Sequence, residues 1–110
     1  MNTNTPQRVI DLFACAVRVM ECEPRSILAA SEPGAESMGA LIRAYEFALN
    51  LLCEAIALAD AAGDTNMAHM ICSTAEKVNE RIKDLRVEHE AWLQVPILIA
   101  QDEAERATKH

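Results

Sequence analysis

Apolar residues recur every three or four positions along most of the chain, which is the spacing of amphipathic helices. The first periodic segment follows Thr5 and Pro6, residue types that favour the start of a helix. Pro24 is expected to end it, because proline lacks the N–H that helix continuation requires. The pattern therefore predicts helix 1 over residues 6–22 and a connector over residues 23–37. The apolar positions of helix 1 form two adjacent rows: Val9, Leu12, Phe13, Ala16, Val17, Val19 and Met20.

The second periodic segment is apolar on two sides and predicts helix 2 over residues 38–62. Gly63 is expected to close this helix, because glycine adopts the left-handed conformation without strain, and Asp64 or Thr65 to cap the next one. Helix 2 should be the central helix, with a neighbour on each side, since its polar side is narrow. That polar side consists of Arg43, Glu46, Asn50 and Glu54.

A seven-residue repeat is the strongest pattern in the chain. One position of the repeat is always large and apolar: Ile71, Val78, Leu85, Trp92 and Ile99. The interleaved positions complete the alternating four-then-three spacing of a helix seam: Ala75, Ile82, His89 and Pro96. The repeat predicts helix 3 over residues 65–95. Pro96 is expected to kink this helix or to separate it from a C-terminal helix over residues 97–107.

These elements predict an all-α, three-helix single domain over residues 1–110, with helices 2 and 3 in a long antiparallel hairpin and helix 1 packed across it. Equal rises from the turn place Met38 opposite His89. Helix 3 then outreaches helix 2 and leaves six large apolar side chains overhanging: Trp92, Leu93, Val95, Ile97, Leu98 and Ile99. Helix 1 with the connector, or another chain, must cover them, and we predict a homodimer.

Composition supports helices and narrows the class of partner. Hydrophobic residues make up 51 % of the chain and aromatic residues only 4 %, while three Gly and four Pro provide few turns. The 17 acidic and 10 basic residues give a net charge of −7. A surface of this sign repels phosphate groups. We therefore expect no direct binding to nucleic acid or membranes, and a basic protein is the favoured kind of partner.

The sequence predicts a cytosolic location. Its first residues, MNTNTPQRV, lack the basic and then apolar run of a signal peptide. Apolar runs fall well short of the roughly 18 residues that a membrane span requires. The cysteines at positions 15, 22, 53 and 72 form no CxxC pair, so we expect reduced thiols that are buried as small hydrophobic groups.

Candidate chemistry is sparse, and the sequence predicts neither an enzyme nor a cofactor. It has no Gly-rich phosphate loop, and its serines lack a nearby histidine in a Gly-framed turn. His69, Cys72 and Glu76 share a helix face, but such a trio is a weak metal signal, and no metal site is predicted. His89 has no second ligand at helical spacing. We expect a partly buried imidazole that bonds a carbonyl or carboxylate near residues 31–37.

Helix 3 also carries a row of like charges at four-residue spacing. Carboxylates four residues apart repel one another on a helix, so the row does not stabilise it. Lysine and arginine residues alongside favour an ordinary solvated face, while the alternative is a surface that imitates a phosphate backbone. The row consists of Glu76, Glu80, Asp84 and Glu88.

The predicted function is a non-enzymatic, cytosolic protein-interaction module: an adaptor, regulator or inhibitor that works through apolar helix faces as a homodimer. One alternative is an acidic inhibitor, of the type that antagonises host defences, which occupies the basic groove of a nucleic-acid-binding enzyme. A metal-binding helical bundle is a further alternative. The predicted interface consists of Leu85, His89, Trp92, Leu93, Ile97, Leu98 and Ile99.

Overall fold

The computed structural model describes residues 5–30 and 32–108, and this part of the chain forms three helices. The helices are α1 (Gln7–Ala30), α2 (Ala35–Ala61) and α3 (Thr65–Thr108). No strand occurs within the two described ranges, so the predicted all-α, three-helix fold is confirmed. Ser31, in the predicted connector, lies outside the described residues. None of the helices, over these ranges, has an apolar stretch long enough to cross a membrane.

The first helix is longer than its sequence pattern predicts. α1 passes through Pro24 and reaches Ala30, so the predicted boundaries, 6–22 for the helix and 23–37 for the connector, are wrong. Proline removes one backbone hydrogen bond, but the residues after it, RSILAA, are mostly good helix formers. Ile27 packs against the hydrophobic core. This packing offsets the cost of the interior proline.

The second helix begins at Ala35, three residues before the predicted start. The hydroxyl of Ser37 accepts a hydrogen bond from the N–H of Gly34 at 2.9 Å and donates one to the Gly34 carbonyl at 3.0 Å. Ser37 is only 2 % exposed, so these bonds satisfy a buried polar group at the start of the helix. The serine lies inside the first turn of α2, which the hydrophobic pattern alone did not reveal.

The turn between α2 and α3 follows the prediction. Gly63 has a φ of 79°, and the N–H of Asp64 donates to the carbonyl of Ala59 at 2.9 Å, which closes α2. Asp64 caps α3, because its Oδ1 accepts a hydrogen bond from the N–H of Met67 at 3.1 Å. Thr5, predicted to cap α1, instead donates its hydroxyl to the Asp64 carboxylate. This bond and then the Met67 amide hold the pKa of Asp64 below its ordinary value of 3.8.

The third helix is continuous from Thr65 to Thr108 with Pro96 inside it. The predicted boundary at residue 95 and the separate helix over residues 97–107 are therefore wrong. Pro96 cannot donate to the carbonyl of Trp92, but every residue from 90 to 108 is exposed, so water can satisfy that carbonyl. The surrounding leucine, glutamine and alanine residues favour helix.

The core is a strip of aliphatic and alanine side chains along α2, covered by one row from each neighbouring helix. Its α3 members follow the predicted seam and are Ala68, Ile71, Ala75, Val78, Ile82 and Leu85. The α2 members are Met38, Leu41, Ile42, Ala48, Leu52, Ala55 and Ala59. α1 contributes Val9, Leu12 and Ala16. The predicted seam of helix 3 is thus confirmed from Ile71 to Leu85, and the buried residues of α1 belong to the predicted rows of helix 1.

α2 is the central helix, as predicted, because both other helices pack against it. α1 makes little contact with α3, so it does not pack across both helices as expected. The Cα atoms extend over 81 × 24 × 13 Å. Three helices side by side, with axes about 8–10 Å apart, would span roughly 21–25 Å between their outermost Cα atoms, which agrees with the observed 24 Å. The helices therefore form a layer one helix thick, in which α1 and α3 each lack a neighbour on one side.

Candidate interaction surface

α3 leaves its neighbour near His89. Arg86 Nη2 lies 3.7 Å from Glu46 Oε2 of α2, and a Cβ built on Gly39 would lie 3.6 Å from His89 Nε2. Gly39 follows Met38, the residue that the sequence predicts to lie opposite His89. Few residues of α2 remain beyond this point, whereas α3 continues to Thr108.

Beyond His89 lies a segment that we name the arm, residues 92–100 of α3. Its large side chains are all exposed, with fractions of 38 % for Trp92, 45 % for Leu93 and 58 % for Leu98. Val95, Ile97 and Ile99 are exposed as well. All six side chains predicted to overhang the end of α2 are thus exposed in the single chain.

The arm is apolar on nearly every side. Each helical residue turns by about 100°, so nine consecutive residues cover the whole circumference two and a half times. Gln94 is the only polar residue between Ala91 and Ala100. A helix that is apolar all round is ordinarily buried. The arm therefore has the composition of a core helix, although none of the described residues of its own chain covers it.

Leu85 and His89 mark the boundary between core and arm. Leu85 is fully buried, and therefore belongs to the core of the chain rather than to an open interface, although it was predicted as an interface residue. His89 is half-buried, and its imidazole has no hydrogen bond to any residue that the structure describes. The expected partner near residues 31–37 is not found among residues 32–37.

A groove between α1 and α2 opens near the point where α3 leaves α2. It has a volume of about 410 Å³ and is lined by Val19, Glu23, Ile27, Ala40, Arg43, Ala44 and Phe47. We name it the α1–α2 groove. Phe47 is 54 % exposed beside it. Sequence reasoning missed the groove, although a phenylalanine directly after Glu46 on the predicted polar side of helix 2 was a signal for it.

The acidic row is exposed along α3, on the part of the helix that packs against α2. Glu76, Glu80, Asp84 and Glu88 are all open to solvent. Within residues 5–30 and 32–108, none of the four forms an ion pair, and the nearby Arg86 pairs with Glu46 instead. The row therefore presents four exposed carboxylates on one helix, without ion pairs to the described lysine and arginine residues alongside.

The cysteines are not buried, contrary to expectation. Cys15, Cys22, Cys53 and Cys72 are free thiols, and all four are exposed. In a layer one helix thick, only a narrow strip of each helix is covered, and the cysteines lie outside these strips. Exposed thiols of this kind persist unpaired in a reducing compartment.

The residues considered as metal ligands do not form a cluster. His69 and Cys72 line one shallow surface pocket, with Asp60 across it, while Cys72 and Glu76 line a second one. No group of three or more His, Cys, Asp or Glu residues with metal-binding geometry occurs in the described ranges. The metal-binding alternative thus gains no geometric support there.

Comparison with known proteins assigns no role to the arm or to the α1–α2 groove. No family model, curated protein or solved structure matches this chain.

Proposed function

We propose that this chain is a non-enzymatic, cytosolic protein-interaction module, an adaptor, regulator or inhibitor, that works as a homodimer through the apolar arm of α3. The observation that carries the proposal is the arm itself, which is apolar all round and yet exposed from Trp92 to Ile99. The four free, exposed thiols support the cytosolic part of the proposal.

The surface area of the chain supports the homodimer. Its accessible surface is 7680 Å², whereas a compact monomer of 12.1 kDa exposes about 6,000 Å². Its radius of gyration is 20.0 Å, against about 13 Å for a compact domain of this length. The excess surface exceeds the roughly 800 Å² that each partner buries in a stable interface. A second copy could therefore cover the arm with area to spare.

The proposed arrangement of α2 and α3 is an antiparallel hairpin. Two contacts support it: Glu46 lies near Arg86, and Gly39 lies near His89. The later residue of α3 thus faces the earlier residue of α2, as in antiparallel helices. The three-residue turn at residues 62–64 is also typical of antiparallel neighbours. This arrangement is what makes the longer helix project beyond the shorter one.

Trp92 provides the test, because it is the only tryptophan of the chain and lies in the arm. We expect its fluorescence maximum in the wild type to be at the short wavelengths of a buried indole. Leu98→Gln should shift the maximum to longer wavelengths by weakening the dimer. Val87→Gln is the control, since Val87 is 73 % exposed on the same helix but outside the arm. An exposed-type emission from the wild type at every concentration would refute the proposal.

A second candidate function is the acidic inhibitor of a nucleic-acid-binding enzyme. The observation that favours it is the exposed row of carboxylates without ion pairs among the described residues. The test is binding to a panel of purified nucleic-acid-binding enzymes at low and high salt. Binding that weakens steeply with salt and with Glu80→Lys or Asp84→Lys is expected, while salt-independent binding would exclude this function.

A further inference from the structure

The arm and the α1–α2 groove lie on opposite sides of one landmark, the contact between Gly39 and His89. The groove is lined by α2 residues 40–47, which extend from this landmark over about 11 Å towards the turn. The arm, residues 92–100, begins about 5 Å beyond the landmark and extends over about 12 Å in the other direction. The two apolar features are therefore matched in length and adjacent in position.

The arm cannot fill the groove of its own chain. It continues α3 away from α2 without a break, since the helix runs uninterrupted through Pro96. A reversal towards residues 40–47 would need a turn, and the described part of α3 contains none. If a second copy faces the first end to end, the groove of the second copy lies beside the arm of the first.

From this match we infer that the arm of each copy docks in the α1–α2 groove of a second copy, so that a two-fold dimer contains two identical arm–groove contacts. The inference rests on the proposed homodimer and specifies its contact surface. A two-fold arrangement satisfies both arms and both grooves at once and leaves no open end for further association.

The chemistry of the groove fits an apolar helix. Ala40 and Ala44 lie one turn apart on its α2 wall, where their small side chains allow a helix to approach closely. Val19, Ile27 and Phe47 provide apolar contacts around them. The polar rim, Glu23 and Arg43, suits the one polar residue of the arm, Gln94, and the exposed end of the docked helix.

The available area also favours this arrangement over contact between the two arms alone. The chain exposes roughly 1,700 Å² more than a compact monomer of its mass. Two arms packed only on each other would leave Phe47 in each groove exposed to water. Reciprocal docking covers one side of each arm and also the exposed face of Phe47 in one interface.

Thiol cross-linking distinguishes the two arrangements. Two versions of the chain are made in a background in which the native cysteines are replaced by serine, one with Glu23→Cys at the groove and one with Leu98→Cys in the arm. The native thiols are exposed, so this background should fold, and circular dichroism checks that it does. A short bismaleimide reagent, with a reach of about 10 Å, is then added to each version and to their mixture. The native positions replaced are Cys15, Cys22, Cys53 and Cys72.

The inference predicts cross-links between the two versions in the mixture and none within either version alone. In the docked dimer, the two copies of residue 98 lie more than about 20 Å apart along α3, beyond the reach of the reagent. A mixture with Met70→Cys in place of Glu23→Cys is the control and should not cross-link. Cross-links within the Leu98→Cys version would show that the arms pair with each other. That result would overturn the inference and leave the homodimer standing.

Phe47→Gln gives a second, independent readout. We expect it to weaken dimerisation at least about tenfold and to shift the Trp92 emission to longer wavelengths, although the two residues are not in contact within one chain. Met70→Gln is the matched control, since Met70 is 48 % and Phe47 is 54 % exposed. Equal dimer affinity for both variants would overturn the docking of the arm in the groove. A wild type that is monomeric at every concentration would overturn the homodimer itself.

Discussion

Arg86 of α3 lies 3.7 Å from Glu46 of α2, measured from Nη2 to Oε2, and this is the only ion pair between the two helices in the described ranges. Both side chains are about half exposed or more, so the pair adds little stability. The pair is important because it lies close to the point where α3 leaves α2. One turn further along, α3 passes Gly39, and beyond that point its apolar surface is exposed, with no partner among residues 5–30 and 32–108.

The two glycines at the ends of α2 should respond to alanine in opposite directions. A Cβ on Gly39 would lie 3.5 Å from Arg43 Nη1 and 3.6 Å from His89 Nε2, which is ordinary contact, so Gly39→Ala should stabilise the chain by about 1 kcal/mol. Gly63 has a φ of 79°, and Gly63→Ala should cost about 1–2 kcal/mol. Urea unfolding measures both. A loss of stability in Gly39→Ala would show that α3 lies closer to α2 than described.

The cap of α3 should make stability depend on pH in the acid range. The hydrogen bonds from Thr5 and Met67 lower the pKa of Asp64, so the charged carboxylate stabilises the fold at any pH above 3.8. This contribution is lost as the pH falls below 3.8, through the lowered pKa of the folded state. Asp64→Asn should therefore unfold at a lower temperature than the wild type near neutral pH, with the difference shrinking in acid.

Asp60→Asn serves as the control for this effect, because the Asp60 side chain has no hydrogen bond or ion pair with any described residue. Thermal unfolding followed by circular dichroism at a series of pH values provides the comparison. A difference between wild type and Asp64→Asn that stays constant down to the most acidic pH would contradict the assigned hydrogen bonds.

The acidic row should cost stability. Glu76 lies four residues before Glu80 and has no basic residue three or four positions away, so Glu76→Gln removes one repulsion and should raise the free energy of unfolding by a few tenths of a kcal/mol. Glu80→Gln is the comparison: it removes two such repulsions but also the attractions of Lys77 and Lys83, three residues away on either side, so it should change stability little. The gain in Glu76→Gln should shrink in high salt. A destabilised Glu76→Gln would mean that this carboxylate has a favourable partner.

The features predicted best from the sequence are those that depend on the spacing of residues within a single helix or turn. The seam from Ile71 to Leu85 and the left-handed Gly63 are as expected, because heptad spacing and turn chemistry are local properties. Pro24 was misread as the end of a helix, and of the two alternatives at Pro96 the separate C-terminal helix is wrong. At Pro24, tertiary packing of Ile27 outweighs the local preference, and at Pro96 solvent satisfies the freed carbonyl.

Features that depend on the arrangement of helices could not be read from spacing. The cysteines resemble core residues by type, yet they are exposed because the helices form a layer and not a compact bundle. The α1–α2 groove likewise requires Val19 and Phe47 from different helices to meet. No single-helix pattern places these two side chains together.

The central claim is that the arm of α3 is covered by a second copy, and the molar mass in solution tests it most directly. Sedimentation equilibrium of the wild type should give twice the chain mass of 12.1 kDa, and the double variant Ile97→Gln/Leu98→Gln should give the mass of one chain with its helix content unchanged. A wild type that sediments as a single folded chain at every concentration would contradict the account.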